Sequence, residues 1–264
     1  MKAALLQEVR RHLSESDLIN LAQVNSATYG ELANTGSVKQ LVDSMELIRM
    51  ECSPGRMETC GLRIDPFGKT VHTPGADGLQ EKQFVDFVYD NLISTTITGT
   101  LTLRNVIIDD YFYERFMLVK HNLKYITGLV LNFCKITVDR EQFQRMLEGL
   151  NLDTFLVFDC TMNTDIMTDE LILGFPRLDK LAIAMRNGFT GFANLTDVLF
   201  FHWMKTKHLP SQTYFENITF VNVHRNMGYF VLKLAKITKK KFVLAPVKMV
   251  GGKKKHILRI FSEM

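Results

Sequence analysis

Four cysteines, seven histidines and one adjacent aspartate pair are the side chains of this 264-residue sequence best suited to hold a metal or move a proton. Cys52, Cys60, Cys134 and Cys160 lack the paired spacing that a zinc site needs. His12, His72, His121, His202, His208, His224 and His256 are scattered, without the i, i+4 pair of a metalloprotease helix. His202 and His208 bracket Trp203, yet no acid or thiol stands beside them at ligand spacing. Asp109-Asp110 could imitate paired catalytic carboxylates, but a helix start accounts for both. There is no Gly-x-Ser-x-Gly elbow, and Gly75-Ala-Asp-Gly78 is not followed by the Lys-Ser/Thr of a phosphate loop. These patterns predict a protein that is not an enzyme, with no catalytic residue, no metal and no cofactor.

The formal charge of +4 is too mild to point to nucleic acid by itself. Its excess lies in Lys239-Lys240-Lys241 and Lys253-Lys254-Lys255. Such triplets could bind phosphate or act as a nuclear signal. They also suit charged turns that keep edge strands soluble. No aromatic residues interleave with them, which favours the turns and disfavours nucleic acid as a partner. No run of about 18 apolar residues is present, so no membrane span is expected. The apolar block at Ala3-Ala4-Leu5-Leu6 is too short for a secretory signal, and Glu8, Arg10 and Arg11 interrupt it. With the cysteines read as small hydrophobes, a reducing cytoplasmic or nuclear setting is expected.

What must position any functional surface is a quasi-repeat. Ile126-Thr-Gly-Leu129-Val-Leu131-Asn-Phe-Cys134-Lys-Ile136 aligns with Leu152-Asp-Thr-Phe155-Leu-Val157-Phe-Asp-Cys160-Thr-Met162. Both read apolar-x-x-apolar-x-apolar-x-x-Cys-x-apolar, the strand segment of a leucine-rich-repeat-like unit. Leu101-x-Leu103-x-x-Val106 fits the same frame, and Leu178-x-x-Leu181-x-Ile183, Leu195-x-x-Val198-x-Phe200 and Phe215-x-x-Ile218-x-Phe220 fit it loosely. Leu101, Leu129, Phe155 and Leu181 are 28, 26 and 26 residues apart; Val198 and Ile218 follow at 17 and 20. A unit of this size cannot bury its own apolar side, so stacked neighbours must complete the core.

In such a strand the residues between and after the inward pair face the concave side. Those are Val130 and Asn132, Leu156 and Phe158, Ala182 and Ala184, Leu199 and Phe201. Of these, Val130, Leu156, Phe158, Leu199 and Phe201 are the candidate target-binding residues. So apolar a face is either covered, with residues 51–80 or the tail the favoured cover, or a recognition surface.

Helical spacing is expected for Phe84, Phe87, Val88 and Leu92, after Asp109-Asp110, over residues 139–147, and after Thr168. Strand alternating with helix predicts a parallel sheet with helices on one side. Phe230-Val-Leu-Lys-Leu234, Lys241-Phe-Val-Leu244 and His256-Ile-Leu-Arg-Ile260 read as three strands of an antiparallel meander. Residues 36–80 read as a connector with a hairpin or loop, punctuated by Cys52-Ser-Pro-Gly55 and Thr73-Pro-Gly75. Within it, Leu41 to Met50 suits a short helix or strand, and Gly61-Leu-Arg-Ile-Asp65 a strand.

At the amino end Leu5, Leu6, Val9 and Leu13 make one apolar stripe, and Leu18, Leu21 and Val24 a second. Leu-Leu-x-x-Val-x-x-x-Leu-Ser-x-x-Asp-Leu-x-x-Leu-x-x-Val-Asn, over residues 5–25, resembles the F-box. The chain departs from that motif in lacking its opening Leu-Pro pair and in carrying Thr28-Tyr29 where a Trp usually stands. The segment from about residue 80 onward resembles the FTH-type domain that follows F-boxes in a large nematode protein group. The fold expected is α+β: an F-box-like helical module at 1–35, a connector at 36–80, and an irregular leucine-rich-repeat-like α/β solenoid at 81–264 ending in the meander. The resemblance implies a substrate-recognition adaptor of a Skp–cullin–F-box ubiquitin ligase. Its Skp-type partner would be gripped through Leu5, Leu6, Val9, Leu13, Leu18, Leu21 and Val24, and a protein target through the repeats. The alternatives are a repeat scaffold for protein interaction without ligase coupling, and a nucleic-acid-binding protein.

Overall fold

Residues 40–50, 59–65, 69–72, 81–163, 165–185, 191–221, 223–224, 226–245 and 248–250 are described by a computed structural model of the chain. The expected helical module at 1–35, with Leu5, Leu6, Val9, Leu13, Leu18, Leu21 and Val24, lies outside the described residues. So do both Pro-Gly turns and the expected strand at 256–260.

Parallel pairing of the repeat strands organises the structure. Leu101 in β6 (Thr100–Arg104), Leu129 in β8 (Gly128–Asn132), Phe155 in β10 (Thr154–Phe158) and Leu181 in β12 (Lys180–Ala184) lie directly opposite one another. Leu103, Leu131, Val157 and Ile183 form a second matched row, and both rows are buried. The 26- to 28-residue spacing carries the crossover that parallel neighbours require. Two further strands, β14 (Gln212–Glu216) and β16 (Lys241–Ala245), extend one side in parallel. On the other side β2 (Ser44–Met50) pairs parallel with β6, and β3 (Thr59–Asp65) and β4 (Lys69–His72) add antiparallel strands. The result is a mixed α/β structure with a nine-stranded, mostly parallel sheet. Beside it β1 (Gln40–Val42) pairs with β5 (Thr95–Ile97), and β13 (Gly191–Ala193), β15 (Ile218–Val221) and β17 (Lys248–Val250) form a small parallel sheet. Residues 41–50 thus take the strand option, and part of the 36–80 span joins the sheet.

After each repeat strand the chain turns through a left-handed residue, Asn105, Phe133 or Asp159, with φ of 56°, 54° and 53°. The turn aims Val106, Cys134 and Cys160 into the core and sets up three short strands, β7 (Ile107–Ile108), β9 (Lys135–Ile136) and β11 (Thr161–Met162). These pair in parallel as a second sheet. Cys134 and Cys160 are free and buried, the role expected of them. The backbone N–H of Cys134 donates to Cys160 Sγ at 3.4 Å. The neighbouring Cys134 thiol and burial together push the Cys160 thiol well up from its ordinary value.

Six helices are found among the described residues: α1 (Glu81–Ser94), α2 (Asp110–Val119), α3 (Arg140–Leu147), α4 (Asp169–Leu173), α5 (Asp197–Thr206) and α6 (Met227–Ile237). None is long and apolar enough to cross a membrane. Their starts are chemically explicit. The carboxylate of Asp109 accepts from Phe112 N, Asp139 and Gln142 form a reciprocal capping box, and Thr168 accepts from Leu171 N. The first turns are also tied from one unit to the next. Gln142 Nε2 donates to Asp110, Arg140 pairs with Glu170 at 2.9 Å, and Thr196 N donates to Asp169. Toward the far end, Phe200, Trp203, Phe215, Phe220 and Phe242 interlock edge to face at centroid distances of 5.0–6.3 Å. Each such pair contributes about 0.5–1.5 kcal/mol beyond its burial.

The structure corrects the sequence reading in this far region. Leu195-x-x-Val198-x-Phe200 is not a strand: Thr196 caps α5, and Leu199, Phe200 and Trp203 turn into the core. The residues that fall opposite Leu181 are Thr213 and then Phe242, at spacings of 32 and 29. The antiparallel meander is also overturned. Phe230-Val-Leu-Lys-Leu234 lies within α6, and Lys241–Ala245 pairs parallel. A five-residue apolar run cannot distinguish helix from strand. The wider spacing of buried Met227, Val231 and Ala235 at i, i+4, i+8 shows the helix.

Thr213 occupies an inward position that apolar residues hold in the other paired strands, and its Oγ1 is buried with no hydrogen-bond partner among the described residues. Replacing an orphaned hydroxyl by a methyl of similar shape removes a desolvation cost. Thr213→Val should therefore stabilise the protein by about 1 kcal/mol in a urea titration. Gly99 makes the opposite case, since an added Cβ would stand 2.5 Å from the carbonyl oxygen of Asp43. Gly99→Ala should cost about 1–3 kcal/mol in the same assay, because backbone must move to admit it.

Candidate functional site

Side chains alternate along a strand, so the partners of the buried rows share the face turned away from the core. The middle row of that face runs Glu46, Thr102, Val130, Leu156, Ala182, Tyr214 and Val243. Beside it lies the row Ile48, Arg104, Asn132, Phe158, Ala184 and Glu216. Val130, Leu156 and Phe158 are half-buried, while Ala182 and Ala184 are buried between larger neighbours. These five form an apolar strip across three strands.

Charge bounds the strip on both sides. Arg104 approaches Glu46 at 3.9 Å on one side. On the other, the Tyr214 hydroxyl donates to the Glu216 carboxylate. Within the row, Asn132 Oδ1 is buried with no hydrogen-bond partner among the described residues.

At the edge of the strip stands Phe133. Its counterparts in the same turn are Asn105, Asp159 and Asn217, residue types that tolerate positive φ by bonding locally. In this fold Asn105 and Asn217 also tie neighbouring units together: Asn105 Nδ2 donates to Arg49 O, 56 positions away, and Asn217 Nδ2 to Met185 O, 32 away. Phe133 cannot form such a bond, yet it adopts φ 54° and is 40% exposed. The guanidinium of Arg104 sits 5.9 Å from that ring, within cation–π range. An exposed aromatic in a strained backbone position is a feature that functional surfaces concentrate.

Of the sequence-predicted target residues, Val130, Leu156 and Phe158 come together on this face. Leu199 and Phe201 do not, because both belong to α5. Leu199 is buried in the core and Phe201 is exposed on the helical side. Of the favoured cover, residues 51–80 or the tail, the tail from residue 251 and most of the 51–80 span lie outside the described residues. The described parts of the 51–80 span, β3 and β4, extend the sheet at its edge rather than lie across it. Sequence reasoning missed Phe133, Arg104, Glu46, Tyr214 and Glu216. The signal for Phe133 was present as the residue before each repeat cysteine, Asp159 in one unit and Phe133 in the other.

Among the described residues no three His, Cys, Asp or Glu side chains stand close enough to share a metal ion. Asp169, whose carboxyl burial pushes up, accepts from Thr196 N at 2.9 Å and from the Thr196 hydroxyl, a joint between α4 and α5. What the strip offers is contact: aliphatic and aromatic area on a rigid sheet, with one cation and two carboxylates at its borders. No protein-family model, curated protein or solved structure matches the chain.

The strain at Phe133 is measurable. Phe133→Asn should raise stability by about 1 kcal/mol in denaturant unfolding, since Asn is at home in the left-handed region. A drop in stability would show instead that the ring packs into the fold.

Proposed function

We propose that this chain is a target-recognition adaptor of a Skp–cullin–F-box ubiquitin ligase, with a leucine-rich-repeat-like solenoid that presents the target. The observation that carries the reading is the apolar strip of Val130, Leu156 and Phe158, edged by strained Phe133 and held at fixed register. Binding surfaces draw their energy from a few such apolar and aromatic anchors on a preorganised frame. The ligase half of the reading rests on the F-box-like pattern over residues 5–25, where Leu5, Leu6, Val9, Leu13, Leu18, Leu21 and Val24 would contact the adaptor.

A protein of this kind forms and breaks no bonds. It raises the effective concentration of target lysines near a charged ligase, so its output depends on two simultaneous contacts. The FTH-type resemblance supports the same order of modules, helical grip first and repeats after. The setting would be cytoplasm or nucleus, where buried Cys134 and Cys160 stay reduced.

Co-purification of the full chain with a Skp-type adaptor tests the reading. The intact chain should bind, and a Leu18→Asp, Leu21→Asp variant with an unchanged circular dichroism spectrum should not. A Leu156→Asp, Phe158→Asp variant should keep the adaptor, because it alters only the opposite contact. If the intact chain ignores several Skp-type adaptors, the ligase reading is wrong.

A further inference from the structure

The helical side of the molecule carries a second surface. On α5, the exposed residues Val198, Phe201, His202 and Lys205 recur at i, i+3, i+4 and i+7 and so share one stripe. On α6, Tyr229, Phe230, Lys233, Lys236 and Ile237 are exposed along a similar stripe. The two helices pack side by side. Both return from the end of one parallel strand to the start of the next, so they run in the same direction. Their inner faces are occupied by Leu199, Phe200, Trp203, Val231 and Leu232, so the outer stripes are not spare core. Five large apolar side chains on these stripes are 47–70% exposed, and Tyr229 and Phe230 touch at 6.1 Å. Scattered single apolar residues need no explanation; a contiguous group does.

Charge says what would cover it. Residues 197–245 contain eight Lys or Arg against two carboxylates, while the whole chain has a net charge of only +4. Among the described residues neither carboxylate forms an ion pair with Lys205, Lys233 or Lys236. Asp197 Oδ1 accepts from His224 N at 2.7 Å, and Glu216 lies on the sheet's opposite face beside Tyr214. The first halves of both helices are apolar on the outside, and Lys205, Lys233 and Lys236 dominate the second halves.

We propose that the α5–α6 face is a docking surface for an acidic amphipathic helix of a partner protein, with apolar anchors over Phe201 and Phe230 and carboxylates over the lysines. Helices of 10 and 11 residues offer a shallow groove about 15–16 Å long, which matches about three turns of a partner helix. Val198 and Ile237, the most exposed of the five apolar side chains, are aliphatic and give a base nothing to stack on, whereas Phe201, Tyr229 and Phe230 suit apolar contact as well as stacking. This surface is independent of the adaptor reading and stands whether or not residues 5–25 grip a Skp-type protein.

A defined probe tests it: a labelled helical peptide of about fourteen residues with Leu on one stripe and Glu elsewhere. The controls are the same peptide with Lys for Glu, a single-stranded oligonucleotide, and vesicles of phosphatidylcholine with phosphatidylserine, each titrated with the full chain. The acidic peptide should bind and the lysine peptide should not. Affinity should fall at least roughly tenfold as salt rises from about 50 to about 300 mM. Phe230→Ser, and separately Lys233→Glu with Lys236→Glu, should each weaken binding by roughly tenfold or more. Leu118→Ser, at an exposed apolar site on α2, should leave it unchanged. Absence of binding, equal binding of the lysine peptide, indifference to the α5–α6 variants, or tighter binding of the oligonucleotide or vesicles would each overturn the proposal.

Discussion

Parallel pairing at a single register is the constraint on which the described structure depends. Because side chains alternate along a strand, a slip of one residue would move Leu101, Leu129, Phe155 and Leu181 out of the core and send Val130 and Leu156 into it. The register is held at both ends of each strand. At the carboxyl end, backbone N–H groups of the left-handed turn reach the next strand, as Asn105 does to Asn132 O and Phe133 to Phe158 O. At the amino end, Thr127 N reaches Gly99 O and Asp179 N reaches Asp153 O. The ladder thus outlasts the strands themselves, and buried backbone polar groups find partners where a looser connection would orphan them.

The helices obey the same register through a different chemistry. Caps fix where each begins, and the bonds from Gln142 to Asp110, Arg140 to Glu170 and Thr196 to Asp169 tie one helix start to the next. A carboxylate at a helix N-terminus is already favoured by the dipole, so these residues serve two ends with one charge. Toward the far side the aliphatic ladder gives way to interlocked rings around Phe215 and Phe242. The spacing lengthens there, and one inward position is given to Thr213, yet the aromatic cluster keeps the sheet continuous.

The arrangement leaves two faces with different chemistry. The sheet face is an apolar strip with Arg104–Glu46 and Tyr214–Glu216 at its borders, and Phe133 holds a costly backbone conformation at its edge. The α5–α6 face mixes exposed aromatic and aliphatic side chains with exposed lysines. Among the described residues neither gathers a nucleophile, base and oriented donors within hydrogen-bond reach. Both have the composition of contact surfaces, and they point in opposite directions from the same core.

Local pattern determined much of this. Apolar residues recurring every 26 to 28 positions were enough to place four strands, their parallel order and their inward rows. Asp109, Asp139 and Thr168 marked helix starts because capping is chemistry between residues three apart. The far end was not legible, since the apolar run in α6 satisfies strand and helix alike and the frame is broken by Thr213. Which surfaces exist was decided only by tertiary structure. The joining of β2 to β6 unites residues 56 positions apart, the contact of Arg104 with the ring of Phe133 unites residues 29 apart, and α5 meets α6 across an intervening strand. Their pairing is set by the shared core, and no short window of sequence contains both partners.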